Sequence, residues 1–123
     1  MTVAMVVLGG AIGAPLRYLT DLLVQSRHDS VFPWGTFTVN VLGSLVLGAT
    51  ASAVLALDAP SWVLVLIATG FCGAFTTFST FGFETIRLLE EGSVLAAFAN
   101  CLAGLAIGLG ACAGGYALMA AIL

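Results

Sequence analysis

Hydrophobic positions along this chain neither alternate nor fall on one helical face. They run in four long blocks, separated by short polar clusters. The first block covers about residues 2–24 and stops at the polar cluster 25–30 (Gln-Ser-Arg-His-Asp-Ser). The second begins near Pro33-Trp34-Gly35, continues to about Leu57, and closes at Asp58-Ala59-Pro60-Ser61. The third starts at Trp62, and the fourth runs from about Ser93 to the C-terminus without one charge. Each block reaches the roughly 20 apolar residues that a membrane-spanning helix needs. None is amphipathic enough for a soluble bundle, which suits lipid on most sides. The pattern predicts an all-α integral membrane protein of four transmembrane helices, one unit over residues 1–123 with no linker. Trp34 and Trp62 fall at span starts, where amphipathic indoles favour the headgroup layer.

Composition strengthens this reading. Only 7% of residues are charged and 61% are hydrophobic, against about 25% charged in a soluble domain. Three arginines (Arg17, Arg27, Arg87) and six acids leave a net charge of -3. That excludes a nucleic-acid footprint and a polybasic lipid-binding face. Cys72, Cys101 and Cys112 are scattered through apolar runs with no Cys-x-x-Cys pair, so free thiols are expected. The N-terminus lacks a basic signal-peptide region, and the first block is expected to be retained as a span.

The third block differs from the others. Two glycines and four hydroxyls interrupt it between Gly70 and Thr80. Backbone at membrane depth is irregular only where protein buries it or a wet cavity faces it. An interruption near residues 73–77 is therefore predicted; a kinked helix with hydroxyls bonded to its own carbonyls is the alternative. Glycines also recur at four-residue spacing, as Gly9/Gly13, Gly104/Gly108 and Gly110/Gly114. Such pairs predict close helix packing within a subunit and between subunits.

Polar groups at membrane depth are costly and need a reason. Asn40 has Thr36 one turn before it and Ser44 one turn after, a polar stripe on one face of the second span. It could tie helices together, or donate to an anion in a pore. Asn100 in the fourth span is read as packing, because Gly104 and Gly108 share its face. Phe71, Phe75 and Phe78 recur at helical spacing, followed by Phe81 and Phe83. Such rings usually pack, but their positive edges could meet a small anion. Hydroxyls at Thr76, Thr77, Ser79 and Thr80 interleave with them. Arg17 and Asp21, at i, i+4, are expected to form a local ion pair or to snorkel. Glu84 is either a solvated end-of-helix acid or a pore-mouth group. Asp29, Asp58, Glu90 and Glu91 read as ordinary loop charges, and His28 as a loop residue without a partner.

No enzyme motif is present in the pattern. A proton-coupled exporter of the small-multidrug type needs an acid deep in its first span, and residues 9–16 contain none. A non-transporting assembly subunit would leave the cluster at residues 76–81 without a purpose.

Three motifs carry a family resemblance. Gly9-Gly10-Ala11-Ile12-Gly13-Ala14-Pro15-Leu16-Arg17-Tyr18 resembles the first-span signature of the Fluc (CrcB-type) fluoride channels. Gly35-Thr36-Phe37-Thr38-Val39-Asn40-Val41-Leu42-Gly43 resembles their second-span motif. Gly70-Phe71-Cys72-Gly73-Ala74-Phe75-Thr76-Thr77-Phe78-Ser79-Thr80-Phe81 is similar to their third-span break, and all three come in the family's order. The fourth span matches in character alone, so no pore residue is carried over there.

The resemblance implies a passive fluoride-selective channel that exports fluoride across the plasma membrane and protects against its toxicity. It implies an antiparallel, dual-topology dimer of four-helix subunits, as a homodimer or with a homologous chain, each pore using both chains. A non-conducting half of a heterodimer is the variant reading. Asn40, with Thr36 nearby, would be the pore amide. Phe78 and Phe81 would present ring edges to fluoride, Ser79 and Thr80 would continue a polar track, and Glu84 would stand near one end. Carbonyls of Gly73 and Thr76 from both subunits would hold a structural sodium ion at the dimer centre.

Four spans put both termini on one side and the Arg27 and Arg87 loops on the other. That arginine bias is offset by Asp29, Glu90 and Glu91 beside it. Insertion in both orientations, or beside an oppositely inserted homologous chain, is expected.

Overall fold

The computed structural model describes residues 1–29 and 31–123. Ser30, the last member of the first polar cluster, lies outside the described residues. Helix α1 (Thr2–Ser26) and helix α2 (Trp34–Leu57) follow the first two apolar blocks. The third span (Ser61–Glu90) is composite. It begins as α3 (Ser61–Leu64), continues as a π-helical segment (Val65–Cys72) and a single turn α4 (Gly73–Phe75), and resumes as α5 (Phe78–Glu90). Helix α6 (Val94–Ile122) is the fourth span. The four spans are 25, 24, 30 and 29 residues long and apolar enough to cross a bilayer, so each exceeds the length that about 30 Å of hydrocarbon requires.

Local chemistry sets the helix ends. Helix α2 stops where Asp58 takes a left-handed conformation (φ 51°) and Ala59 N–H bonds back to the Val54 carbonyl. Pro60 then opens the third span. Helix α5 ends where Gly92 adopts φ +83° and Ser93 N–H returns to the Leu88 carbonyl at 2.8 Å. A side chain at Gly92 would be strained there. Pro15 sits inside α1 without ending it, as neighbouring helices allow in membranes.

Glycines bring the spans together. A methyl group on Gly9 would strike the Leu66 carbonyl, and one on Gly13 would stand 3.2 Å from the Phe75 nitrogen. Helix α1 thus lies directly on the π-helical segment and α4. Helices α2 and α6 pack most extensively, at two sites: Gly48 against the Cys112 carbonyl and Gly115 against the Leu45 carbonyl. Of the three glycine pairs, Gly9/Gly13 and Gly104/Gly108 meet other helices of the same chain, and Gly110/Gly114 does not. Among the described residues, nothing lies within 4 Å of a methyl placed on Gly110 or Gly114. That face of α6 points away from the other helices.

The core is small. Val39, Cys72, Phe75, Leu88 and Ala97 are buried, joined by the polar Thr36, Ser52 and Asn100. Many Leu, Val and Ile side chains of all four spans are exposed. The three cysteines are free thiols. One of the two fates expected of Arg17 and Asp21 is excluded, and the expectation for His28 is revised. Arg17 and Asp21 do not pair; among the described residues the ion pair is Arg87–Glu91, at 3.6 Å. The Asp21 carboxylate instead lies against Gly35 at the start of α2. His28 does have partners: its Nδ1 is 2.8 Å from the Val24 carbonyl, and its ring stacks on Trp34 at 5.3 Å.

Candidate functional site

The third span breaks at two residues. Thr76 (φ -88°, ψ 164°) and Thr77 (φ -149°, ψ 122°) are extended between α4 and α5. The predicted interruption at 73–77 is therefore present, confined to its last two positions. Side chains and neighbours hold it open. The Thr76 hydroxyl donates to the Cys72 carbonyl at 2.7 Å, as does the Thr76 N–H at 2.9 Å. Across the helix pair, Thr77 N–H donates to Asn40 Oδ1 at 2.8 Å, and Asn40 Nδ2 donates to the Thr77 carbonyl at 3.0 Å. The Thr77 hydroxyl accepts from Thr80 N–H at 3.1 Å and caps α5.

These bonds divert two donors from their helical partners. In a continuous helix, Thr77 N–H would serve the Gly73 carbonyl and Thr80 N–H the Thr76 carbonyl. Here one goes to Asn40 and the other to the Thr77 hydroxyl. The Gly73 and Thr76 carbonyls are left as hard oxygen donors. Gly73 is exposed, with nothing within 4 Å of its side-chain position. Their chemistry fits a hard monovalent cation.

The polar stripe of α2 is used residue by residue. Asn40 engages the break, and the Thr36 hydroxyl donates to the Glu84 carboxylate on α5. Ser44 lines a cavity of about 330 Å³ together with Asn40, Cys72, Thr76, Phe78 and Phe81. Thr36, Thr77 and Thr80 reach a second cavity of about 200 Å³, which Arg17 and Tyr18 also line. Glu84 lines a third, of about 240 Å³, with Asp21, Gln25 and Arg87. The predicted residues thus follow one another along the break rather than meeting in one chamber. Ser79 lines none of these three cavities; it is exposed, with its hydroxyl 3.5 Å from that of Thr77. Glu84 is not a simply solvated end-of-helix acid, since its carboxylate accepts from Thr36 on α2 and lines a cavity.

The phenylalanine row is not one stripe. Because the helix breaks after Phe75, the rings form two separate pairs. Phe71 and Phe75 stack at 5.4 Å, with Phe75 buried. Phe78 and Phe81 meet at 6.0 Å with planes tilted by 43°, and Phe78 is 80% exposed. The second pair lines the large cavity. Asn100 is fully buried and donates to the Thr85 hydroxyl at 2.8 Å, the packing role expected of it.

Sequence reasoning missed the contributions of Arg17 and Tyr18 to the second cavity and of Cys72 to the first. A polar residue inside an apolar span was the available signal at Arg17. Cys72 carried none, since a thiol reads as apolar.

Fold and site define a class: a four-span helical membrane protein whose third span is broken at membrane depth and opens onto cavities lined in part by polar side chains. The sequence profile of the family described as CrcB-like protein, Camphor Resistance (CrcB), matches residues 4–116. The chain belongs to that family. It is similar to the fluoride-specific ion channel FluC 1 of Frankia casuarinae, 53% identical over 123 residues, covering 96% of this chain and 95% of that one. It is 54% identical over 107 residues to FluC 1 of Streptomyces avermitilis, covering 87% and 86% of the two chains. The fluoride-specific ion channel FluC of Rhizobium meliloti is 39% identical over 116 residues, covering 94% and 93%.

Proposed function

We propose that this chain is a subunit of a passive, fluoride-specific ion channel in the cell membrane, and not an enzyme. The observation that carries the reading is near full-length similarity to proteins named fluoride-specific ion channels, on a chain whose third span is broken at membrane depth. Fluoride is the base of a weak acid. Neutral hydrogen fluoride crosses membranes and ionises in a less acidic cytoplasm. The trapped anion then leaves through the channel, helped by an inside-negative potential. No energy source is required.

On this reading Asn40, Phe78 and Phe81 face the anion at the large cavity. Amide hydrogens and positive ring edges attract fluoride without a formal charge that would trap it. Thr36, Ser79 and Thr80 continue a hydroxyl track, and Glu84 marks one end. The conducting unit is an antiparallel dimer, of two copies or of this chain with a homologous partner. Support comes from the open Gly110/Gly114 face of α6 and from the Gly73 and Thr76 carbonyls, whose usual helical donors bond elsewhere. Carbonyls of Gly73 and Thr76 from both subunits would hold a structural sodium ion, which supplies fixed positive charge at the centre.

Purified protein in fluoride-loaded liposomes tests the reading. Fluoride should leave passively when potassium and an ionophore clamp the voltage, and chloride-loaded vesicles should leak little. Release that needs a proton gradient would point to a coupled exporter, and no release would refute a self-sufficient channel.

A further inference from the structure

Phe81 and Gly104 meet in the wall of the large cavity. A methyl group built on Gly104 would stand 2.7 Å from Phe81 Cε1, 3.3 Å from Cζ and 3.5 Å from Cδ1. All three atoms belong to one edge of the ring. Gly9, Gly48 and Gly115 differ, because a methyl there strikes a backbone carbonyl. A side chain at position 104 therefore displaces a ring rather than a helix.

The same ring is held a second way. Asn100, one turn before Gly104 on α6, is 1% exposed and donates to the Thr85 hydroxyl at 2.8 Å. The Thr85 hydroxyl in turn donates to the Phe81 carbonyl at 2.8 Å. This relay ties the turn of α5 that carries Phe81 to α6. A buried amide of this kind is costly to leave without its partner.

We propose that Gly104 and the Asn100–Thr85 pair are positioning residues for conduction, Gly104 setting the tilt of the Phe81 ring and the relay fixing its backbone. The inference rests on the reading that Phe81 faces fluoride. A ring quadrupole is directional, positive at the edge and negative on the face. Tilting the ring changes what a passing anion meets, while the apolar volume stays the same.

Passive fluoride efflux from liposomes, measured beside thermal stability in detergent, tests this. Gly104→Ala should slow efflux about tenfold, since a barrier increase of about 1.4 kcal/mol suffices, and its melting temperature should match the parent's. Gly108→Ala is the control: its methyl would sit 3.8 Å from Ser44 Oγ, an ordinary contact, and efflux should be unchanged. Thr85→Val should slow efflux, and Thr85→Ser, which keeps the hydroxyl, should restore it. If Gly104→Ala does not fold, the Thr85 pair decides alone. Parental efflux in Gly104→Ala, a loss of efflux in Gly104→Ala matched by lost stability, or equal efflux in Thr85→Val and Thr85→Ser would each overturn the proposal. A parent chain that releases no fluoride overturns the channel reading, and this one with it.

Discussion

Asn40 binds the backbone of Thr77 as one peptide group binds another, accepting from its N–H at 2.8 Å and donating to its carbonyl at 3.0 Å. A side chain of α2 thereby completes the main chain of a different span at the point where that span has no helix. Asn40→Ala removes both partners at once. Each orphaned backbone group costs about 1–3 kcal/mol when buried, so the melting temperature in detergent should fall clearly. Unchanged stability would mean that water or lipid headgroups replace the amide without loss. Fluoride efflux should fall as well.

Phe78 and Phe81 should matter for their rings rather than their bulk. Phe78→Ile and Phe81→Ile keep most apolar volume but remove the quadrupole. Large losses of efflux at comparable folded yield are expected. Phe71→Ile serves as the packing control, because Phe71 stacks on Phe75 at 5.4 Å on the other side of the break. Equal efflux in all three variants would return the rings to simple packing and leave Asn40 as the main pore group.

The α2–α6 contact should tolerate no side chain at its two glycines. Gly48→Ala drives a methyl into the Cys112 carbonyl, and Gly115→Ala into the Leu45 carbonyl. Both obstacles are backbone, so the helices must separate. Each variant should lose about 1–3 kcal/mol of stability, read as a lower melting temperature. Gly110→Ala, whose methyl meets nothing among the described residues, tests the proposed contacts between subunits. A stable monomer-sized species from that variant would identify the α6 face as the dimer seam.

Orientation should be mixed. Arg27 and Arg87 lie at the end opposite the termini, beside Asp29, Glu90 and Glu91, which leaves a weak positive-inside signal. C-terminal reporters should be active on both sides of the membrane, or on one side with a homologous chain inserted oppositely. Reporters on a single side, with a parallel dimer recovered, would defeat this expectation.

The spans and the break were legible because each has a one-dimensional signature. Polar clusters at 25–30 and 58–61 mark helix ends, and glycine with hydroxyls between Gly70 and Thr80 marks irregular backbone. The burial of Asn100 could be read for the same reason, from a polar residue sharing a face with glycines. Other features have no such trace. Gly48 and Gly115 belong to no four-residue glycine pair, so the main helix contact was hidden. Helical spacing brought Arg17 and Asp21 to one face but did not fix their rotamers, and Asp21 went to Gly35 instead. Freeing the Gly73 and Thr76 carbonyls depends on where Asn40 and Thr77 direct their bonds, which is a property of the folded pair.

The π-helical segment Val65–Cys72 also left no mark on the sequence, since no residue type favours bonds from i to i+5. Its consequence is arithmetical. Closing turns at i+5 takes up more residues per turn than an α-helix does, without adding equivalent length. The segment therefore stores surplus chain inside a span of fixed thickness. Deleting one residue between Val65 and Ala68 would let the segment relax to α-helical bonding, keeping α3 and the Thr76–Thr77 break near their original depths. Insertion at the same place has no such outlet. In terms of chain length, losing a residue from this segment should cost less stability than gaining one.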